Sequence, residues 1–163
     1  MANATFVSQN LGANNIARAK RGIRTALLIG MSCTAVLMTP LLLFARPLLT
    51  LFNRDPDVLY YGVMFVLYIS PFYLFACVND IIGGALRGAG EAMAAMICML
   101  STFVVSRQIY LFFISRVTDS PLLVGLGYPL GWVLCCISLL LCYRLIPWEQ
   151  KQAQRQSGMV KTA

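Results

Sequence analysis

Residues 75–92 read FACVNDIIGGALRGAGEA and place a carboxylate, Asp80, inside a run otherwise suited to hydrocarbon, with Asn79 beside it and Arg87 two turns on. A charge at mid-bilayer costs at least about 2.5–3.5 kcal/mol, so an acid there is expected to face a bundle interior or a wet cavity. Positions three, four and seven away from Asp80 give a small or polar helix face of Tyr73, Ala76, Gly83, Gly84 and Arg87. Two chemistries suit such an acid. It is a structural group, neutral or reaching toward Arg87, or it forms with Asn79 an ion-coupling site that changes protonation or cation occupancy during transport. A depth of about 10 Å from the helix end, at 1.5 Å per residue, keeps both open.

Arg107 is the second anomalous charge, well inside the third span. Counted from Glu91 it lies about 24 Å along its helix, roughly a dozen ångströms beyond the level of Asp80, so no direct salt bridge between the two is expected. Its side chain is expected to snorkel incompletely. Tyr68, Phe72 and Tyr73, with Met64, form one stripe above Asp80. Such a stripe either packs or lines a cavity. As a lining it suits flat apolar cations through π faces and polarizable sulfur. Tyr68, Phe72, Tyr73 and Arg107 are therefore the substrate-cavity candidates.

Other chemistries find no support. The chain has no histidine, and its six cysteines lie inside apolar blocks without Cys-x-x-Cys spacing, so they read as small apolar core residues and no metal site is expected. Paired carboxylates, or a Ser or Cys beside a recognisable base, are missing too, so an enzyme is not expected. The glycine-rich segment does not end in Gly-Lys-Ser/Thr and is no phosphate loop. No cofactor is expected beyond a coupling ion, proton or sodium.

The elements that position these groups follow from composition. Of 163 residues, 59% are apolar and only 12% charged, which points to a membrane protein rather than a soluble domain. About 20 apolar residues cross a core of about 30 Å. Four blocks qualify, residues 23–45, 58–86, 92–114 and 121–143, giving an all-α, polytopic transmembrane helical bundle. NRDPD at residues 53–57 and RVTDSP at 116–121 are the turns of two helical hairpins. Gly83, Gly84, Arg87, Gly88 and Gly90 form a packing and turn element between the second and third spans. Pro71 and Pro129 lie inside spans, as packing kinks or as hinges.

Nine Lys and Arg flank one side of these spans and three the other, with Arg107 within the third, which accounts for all 13 basic residues and places both termini in the cytoplasm. The net charge of +7 is then topology signal and attraction to anionic headgroups, not nucleic-acid binding. Residues 149–163 are polar and expected to be a disordered cytoplasmic tail, whereas 1–148 form the membrane region. The N-terminal segment has no basic stretch followed by an apolar one, so no signal peptide is expected. Asn3-Ala4-Thr5 matches a glycosylation sequon, a pattern that arises often by chance.

The order VSQNLGANNIARAKR, FNRDPDV, GGALRGAGE, VVSRQIYLF, GYPLGW and YRLIPW, over about residues 6–148, resembles the C-terminal lobe of multidrug and toxic compound extrusion (MATE) transporters. Its best marker is Gln9-x-x-Gly12-Ala13 ahead of a basic linker, with Leu86-Arg87-Gly88-x-Gly90 two spans later. The resemblance implies the end of helix eight through helix twelve of a twelve-helix, two-lobed antiporter, with an N-terminal lobe missing from this chain. It implies export of small organic cations or metabolites across the cell (inner or plasma) membrane against protons or sodium. Acidic residues on helix ten serve that coupling in the family, and Asp80 lies on the counterpart, one turn nearer the glycine-rich turn. A lipid-linked oligosaccharide flippase of the same superfamily and a non-transporting membrane scaffold are the alternatives.

Overall fold

The computed structural model describes residues 2–117 and 121–146. A short helix, α1 (Ala2–Gly12), leads into α2 (Ile16–Leu43) and α3 (Ala45–Thr50). The second span is α4 (Pro56–Ile69) and α5 (Tyr73–Gly88), joined by a 3₁₀ turn at Ser70–Phe72. The third is α6 (Ala92–Leu100) and α7 (Arg107–Val117), joined by a π-helical segment at Ser101–Ser106, and the fourth is α8 (Pro121–Gly125) and α9 (Gly127–Leu145).

Four helical stretches are long and apolar enough to cross a membrane: Ile16–Leu43, Pro56–Gly88, Ala92–Val117 and Pro121–Leu145. Every end lies within about three residues of the expected spans except the start of the first. There the basic linker is already helical from Ile16; at the other end α2 stops at Leu43, just short of the expected boundary. Pro47 lacks an N–H and instead occupies the first turn of α3, where that donor has no intrahelical partner to lose. The NRDPD turn follows. Asp55 accepts from the Asp57 N–H at 2.9 Å and caps α4, and Pro56 takes its first position. Of RVTDSP, residues 118–120 lie outside the described residues, as do Trp148 and the expected tail.

Two helix ends close in the same way. Asn14 adopts φ 55° just past α1, with the Asn15 N–H donating to the Asn10 carbonyl and the Asn14 N–H to that of Leu11. Gly90 adopts φ 85° past α5, with the Glu91 N–H on Leu86 and the Gly90 N–H on Arg87. This bond pair around a left-handed residue stops a helix and satisfies its last carbonyls, and Gly and Asn tolerate that backbone best.

Neither proline falls within an unbroken helix. Pro71 is inside the 3₁₀ turn, and Pro129 is in the first turn of α9, one break after α8. The π segment was not expected. Ser101, Thr102 and Ser106 turn their hydroxyls back onto the carbonyls of Cys98, Cys98 with Met99, and Thr102 respectively. Hydroxyls that compete for helix carbonyls loosen the regular ladder, and wide turns inside α-helices are frequent at functional sites.

The buried cluster gathers at the end of the bundle where α1 meets the Gly90 turn. It joins Val7 and Leu11, Ala19 and Ile23, Ile82, Ala85 and Leu86, Ala95 and Cys98, and Cys135 and Leu139. Helix α5 is its centre, packed by α1, α2 and α9. A Cβ on Gly88 would strike the Ala4 carbonyl oxygen, so α1 and α5 meet there at backbone distance. Arg87 folds back along its own helix, its guanidinium lying over Gly83 and Gly84 and donating to Met99 Sδ at 3.7 Å. Asn3 Nδ2 donates to the Ile81 carbonyl at 2.8 Å, so the sequon amide is already engaged inside the bundle. Elsewhere large apolar side chains face outward, among them Leu28, Leu37 and Phe113. A surface of this kind belongs against lipid tails or further helices. Cys33 departs from its reading as a core residue: it lies on this outward surface of α2, whereas Cys98, Cys135 and Cys136 are buried.

Candidate functional site: an acid groove and an arginine pocket joined by aromatic rings

Asp80 is exposed on the side of α5 that faces α2. The groove it borders, about 430 Å³, is walled by Thr34, Leu37 and Met38 from α2 and by Tyr73, Ala76 and Cys77 from α5. Among the described residues no cation pairs with Asp80; the nearest candidate by sequence, Arg87, is turned toward Met99. The helix face drawn around Asp80 therefore divides. Tyr73 and Ala76 share its groove, while Gly83 and Gly84, about one turn further toward the Gly90 turn, are buried beneath Arg87 and α1.

Asn79 does not join its neighbour. Consecutive helical residues point about 100° apart, and Asn79, 2% exposed, turns to α9, where Nδ2 donates to the Trp132 carbonyl at 3.0 Å. Its Oδ1 is buried with no partner among the described residues. The contact ties α5 to α9 at the level of the aromatic residues.

Those aromatics form a ladder between two charges. The ring of Tyr73, beside Asp80, is 4.8 Å from that of Trp132, which is 6.4 Å from that of Tyr128. Arg107 lies over Tyr128 with Cζ 3.8 Å from the ring centre, a cation–π contact within the range of useful attraction. Arg107, Tyr128 and Trp132 line a pocket of about 290 Å³ with Phe103, Gly127 and Gly131.

Of the four expected lining residues, the structure thus brings Tyr73 and Arg107 into one arrangement and leaves two outside it. Phe72 stacks on Phe75 at 6.1 Å, and Tyr68 is half exposed away from either cavity. Met64 lines a different pocket, with Arg46 and Arg54. Adjacent Phe72 and Tyr73 already point about 100° apart on a helix, and the 3₁₀ turn at Ser70–Phe72 adds to the rotation between α4 and α5. Trp132 and Tyr128 were missed as site residues, although their spacing of four on one helix was a readable signal.

Comparison with known proteins follows this geometry. The MatE family model matches residues 1–112. The chain is 31% identical over 100 residues to a protein named FAD transporter from Shewanella oneidensis, covering 61% of this chain and 22% of that protein. It is 26% identical over 153 residues to the probable multidrug resistance protein YoeA of Bacillus subtilis, covering 92% of this chain and 32% of the relative. It is also 26% identical over 160 residues to the probable multidrug resistance protein NorM of Pasteurella multocida, covering 98% and 34%. The chain spans about a third or less of the length of these curated relatives. No solved structure matches it. With the MatE match extending over well more than half its length and four membrane-crossing helices beneath it, the chain belongs to the MatE family of multidrug and toxic compound extrusion proteins.

Proposed function

We propose that the chain forms part of one lobe of an exporter driven by protons or sodium, completed by a second lobe, that moves small organic cations or metabolites out of the cell. The observation that carries this reading is Asp80, a carboxylate in a membrane span that is exposed and has no cation partner among the described residues. Such a group has the freedom to take up a proton or a metal cation, and a helix flank open to a groove supplies the route. Tyr73 at the same groove offers a π face to an organic cation.

In this mechanism occupancy of Asp80 by the ion favours one orientation of the lobes and cargo binding favours the other, so the two ligands exchange through their differential affinity for the two states. The breaks at Pro71 and Leu126–Gly127 supply flexure within two spans, as bent helices do in transporters of alternating access. The excess of Lys and Arg on one flank of the spans supports a topology with both termini on the cytoplasmic side of the cell membrane. The names of the relatives, two of multidrug resistance and one of FAD transport, agree with organic cargo.

The test is Asp80→Asn in the intact transporter. Ion-driven efflux of a cationic dye is expected to be abolished with membrane levels unchanged; normal efflux removes Asp80 from the mechanism.

A further inference from the structure

The Arg107 pocket has the opposite chemistry to the Asp80 groove. Arginine keeps its charge in proteins, and its planar fork of five N–H donors matches a carboxylate or phosphate in a bidentate pair. Here the flat face of the guanidinium is occupied by Tyr128, and its donors engage no carboxylate or carbonyl among the described residues. A charge held within a span with its hydrogen-bonding edge unused is costly unless something else supplies the acceptor.

The surroundings specify more than an anion. Trp132 and Phe103 stand beside Arg107 as aromatic walls, and Gly127 and Gly131 complete the lining, close-packed against Tyr110 and Phe103 respectively. Trp132 is held in place, its carbonyl accepting from Asn79 and its ring against Tyr73. Flat rings stack on such walls in offset or tilted arrangements. At about 290 Å³ the pocket is at the low end for ligand sites, which suits one or two fused rings rather than a whole drug.

We propose that this pocket is a binding subsite for an aromatic ring system bearing a carboxylate or phosphate, with Arg107 pairing the anion and Trp132 and Phe103 stacking the ring. The inference rests on the export reading only in calling such a molecule cargo. The aromatic ladder then links an anion subsite to the acid groove, so one zwitterionic molecule has a partner for each pole.

The test is binding without transport. The full 163-residue chain in phosphatidylcholine nanodiscs is dialysed to equilibrium against 2-naphthoate or 2-naphthylmethylammonium, which share one ring and carry opposite charge, with empty nanodiscs subtracted. Saturable binding of naphthoate, tighter than that of the ammonium, is expected in the Asp80→Asn chain, whose groove no longer draws a cation. Arg107→Gln is expected to weaken naphthoate by about tenfold or more while leaving the ammonium unchanged, and Arg107→Lys to retain part of the affinity. Equal or tighter binding of the ammonium by the Asp80→Asn chain, or naphthoate binding untouched by Arg107→Gln, overturns the proposal. Should Arg107→Gln fail to fold, the preference of the Asp80→Asn chain between the matched rings decides alone. Because no efflux is measured, failure here leaves the Asp80 reading standing, and failure of Asp80→Asn to block efflux leaves this one.

Discussion

Gly88 leaves no space for a side chain between α1 and α5. A Cβ there would collide with the Ala4 carbonyl and lie 3.0 Å from Val7 Cβ, so Gly88→Val must drive the two helices apart. A loss of about 1–3 kcal/mol is expected, read as a lowered Tm in detergent. Gly12→Ala is the control: a Cβ there meets nothing within 4 Å, and the change should be neutral or stabilising by up to about 1 kcal/mol. Gly90→Ala should cost about 1–2 kcal/mol for a different reason, since φ 85° is a backbone an L side chain resists. The glycine cluster was legible in the sequence as a place of close approach. Its partner was not, because nothing in the spacing of Gly83, Gly84 and Gly88 says that Ala4 and Val7 fold back against them. The pairing of Asn79 with Asp80 shows the converse. Adjacency in sequence means divergence on a helix, and the structure turns one residue to α9 and the other to α2.

Elements carry their own test, because the register of α6 against α9 fixes which thiols meet. Cys98 Sγ and Cys142 Sγ are 3.1 Å apart across that interface. A mild oxidant such as copper phenanthroline should link them, and mass spectrometry without reduction should find the two peptides joined in wild type and separate in Cys142→Ser. A link from Cys98 to Cys135 or Cys136 instead would mean that α9 is shifted by a turn or more. The four spans and the NRDPD turn were readable because hydrocarbon thickness and turn chemistry act locally. The breaks within spans were readable only in part. Pro71 and Pro129 announced bends, yet the π segment arises from the joint action of Ser101, Thr102 and Ser106, whose hydroxyls were available to the eye but carry no fixed outcome. The 3₁₀ turn adds rotation between α4 and α5 to the roughly 100° by which adjacent Phe72 and Tyr73 already diverge.

As a whole molecule the described chain is an apolar sheath around a core confined to one end, with the acid Asp80 and the base Arg107 each at a cavity. Lys and Arg asymmetry supports the proposed orientation, in which reporter fusions at Asp55 should report the outside and at Gly90 the cytoplasm; the reverse pattern would invert the proposed topology. Composition alone made the membrane class legible, whereas the division of the site into two charged cavities required the packing of α9 on α5. The water path to Asp80 bears most on function, and thiol labelling reads it directly. In a chain whose native cysteines are replaced by serine, reconstituted in nanodiscs, Asp80→Cys should react rapidly with a charged, membrane-impermeant thiol reagent, since only a thiolate in contact with water attacks it. Ile97→Cys, on the outward face of α6 at a position 57% exposed, should react slowly because lipid covers it. Equal, slow labelling of the two would mean that the groove beside Asp80 is dry, and would contradict an ion site there.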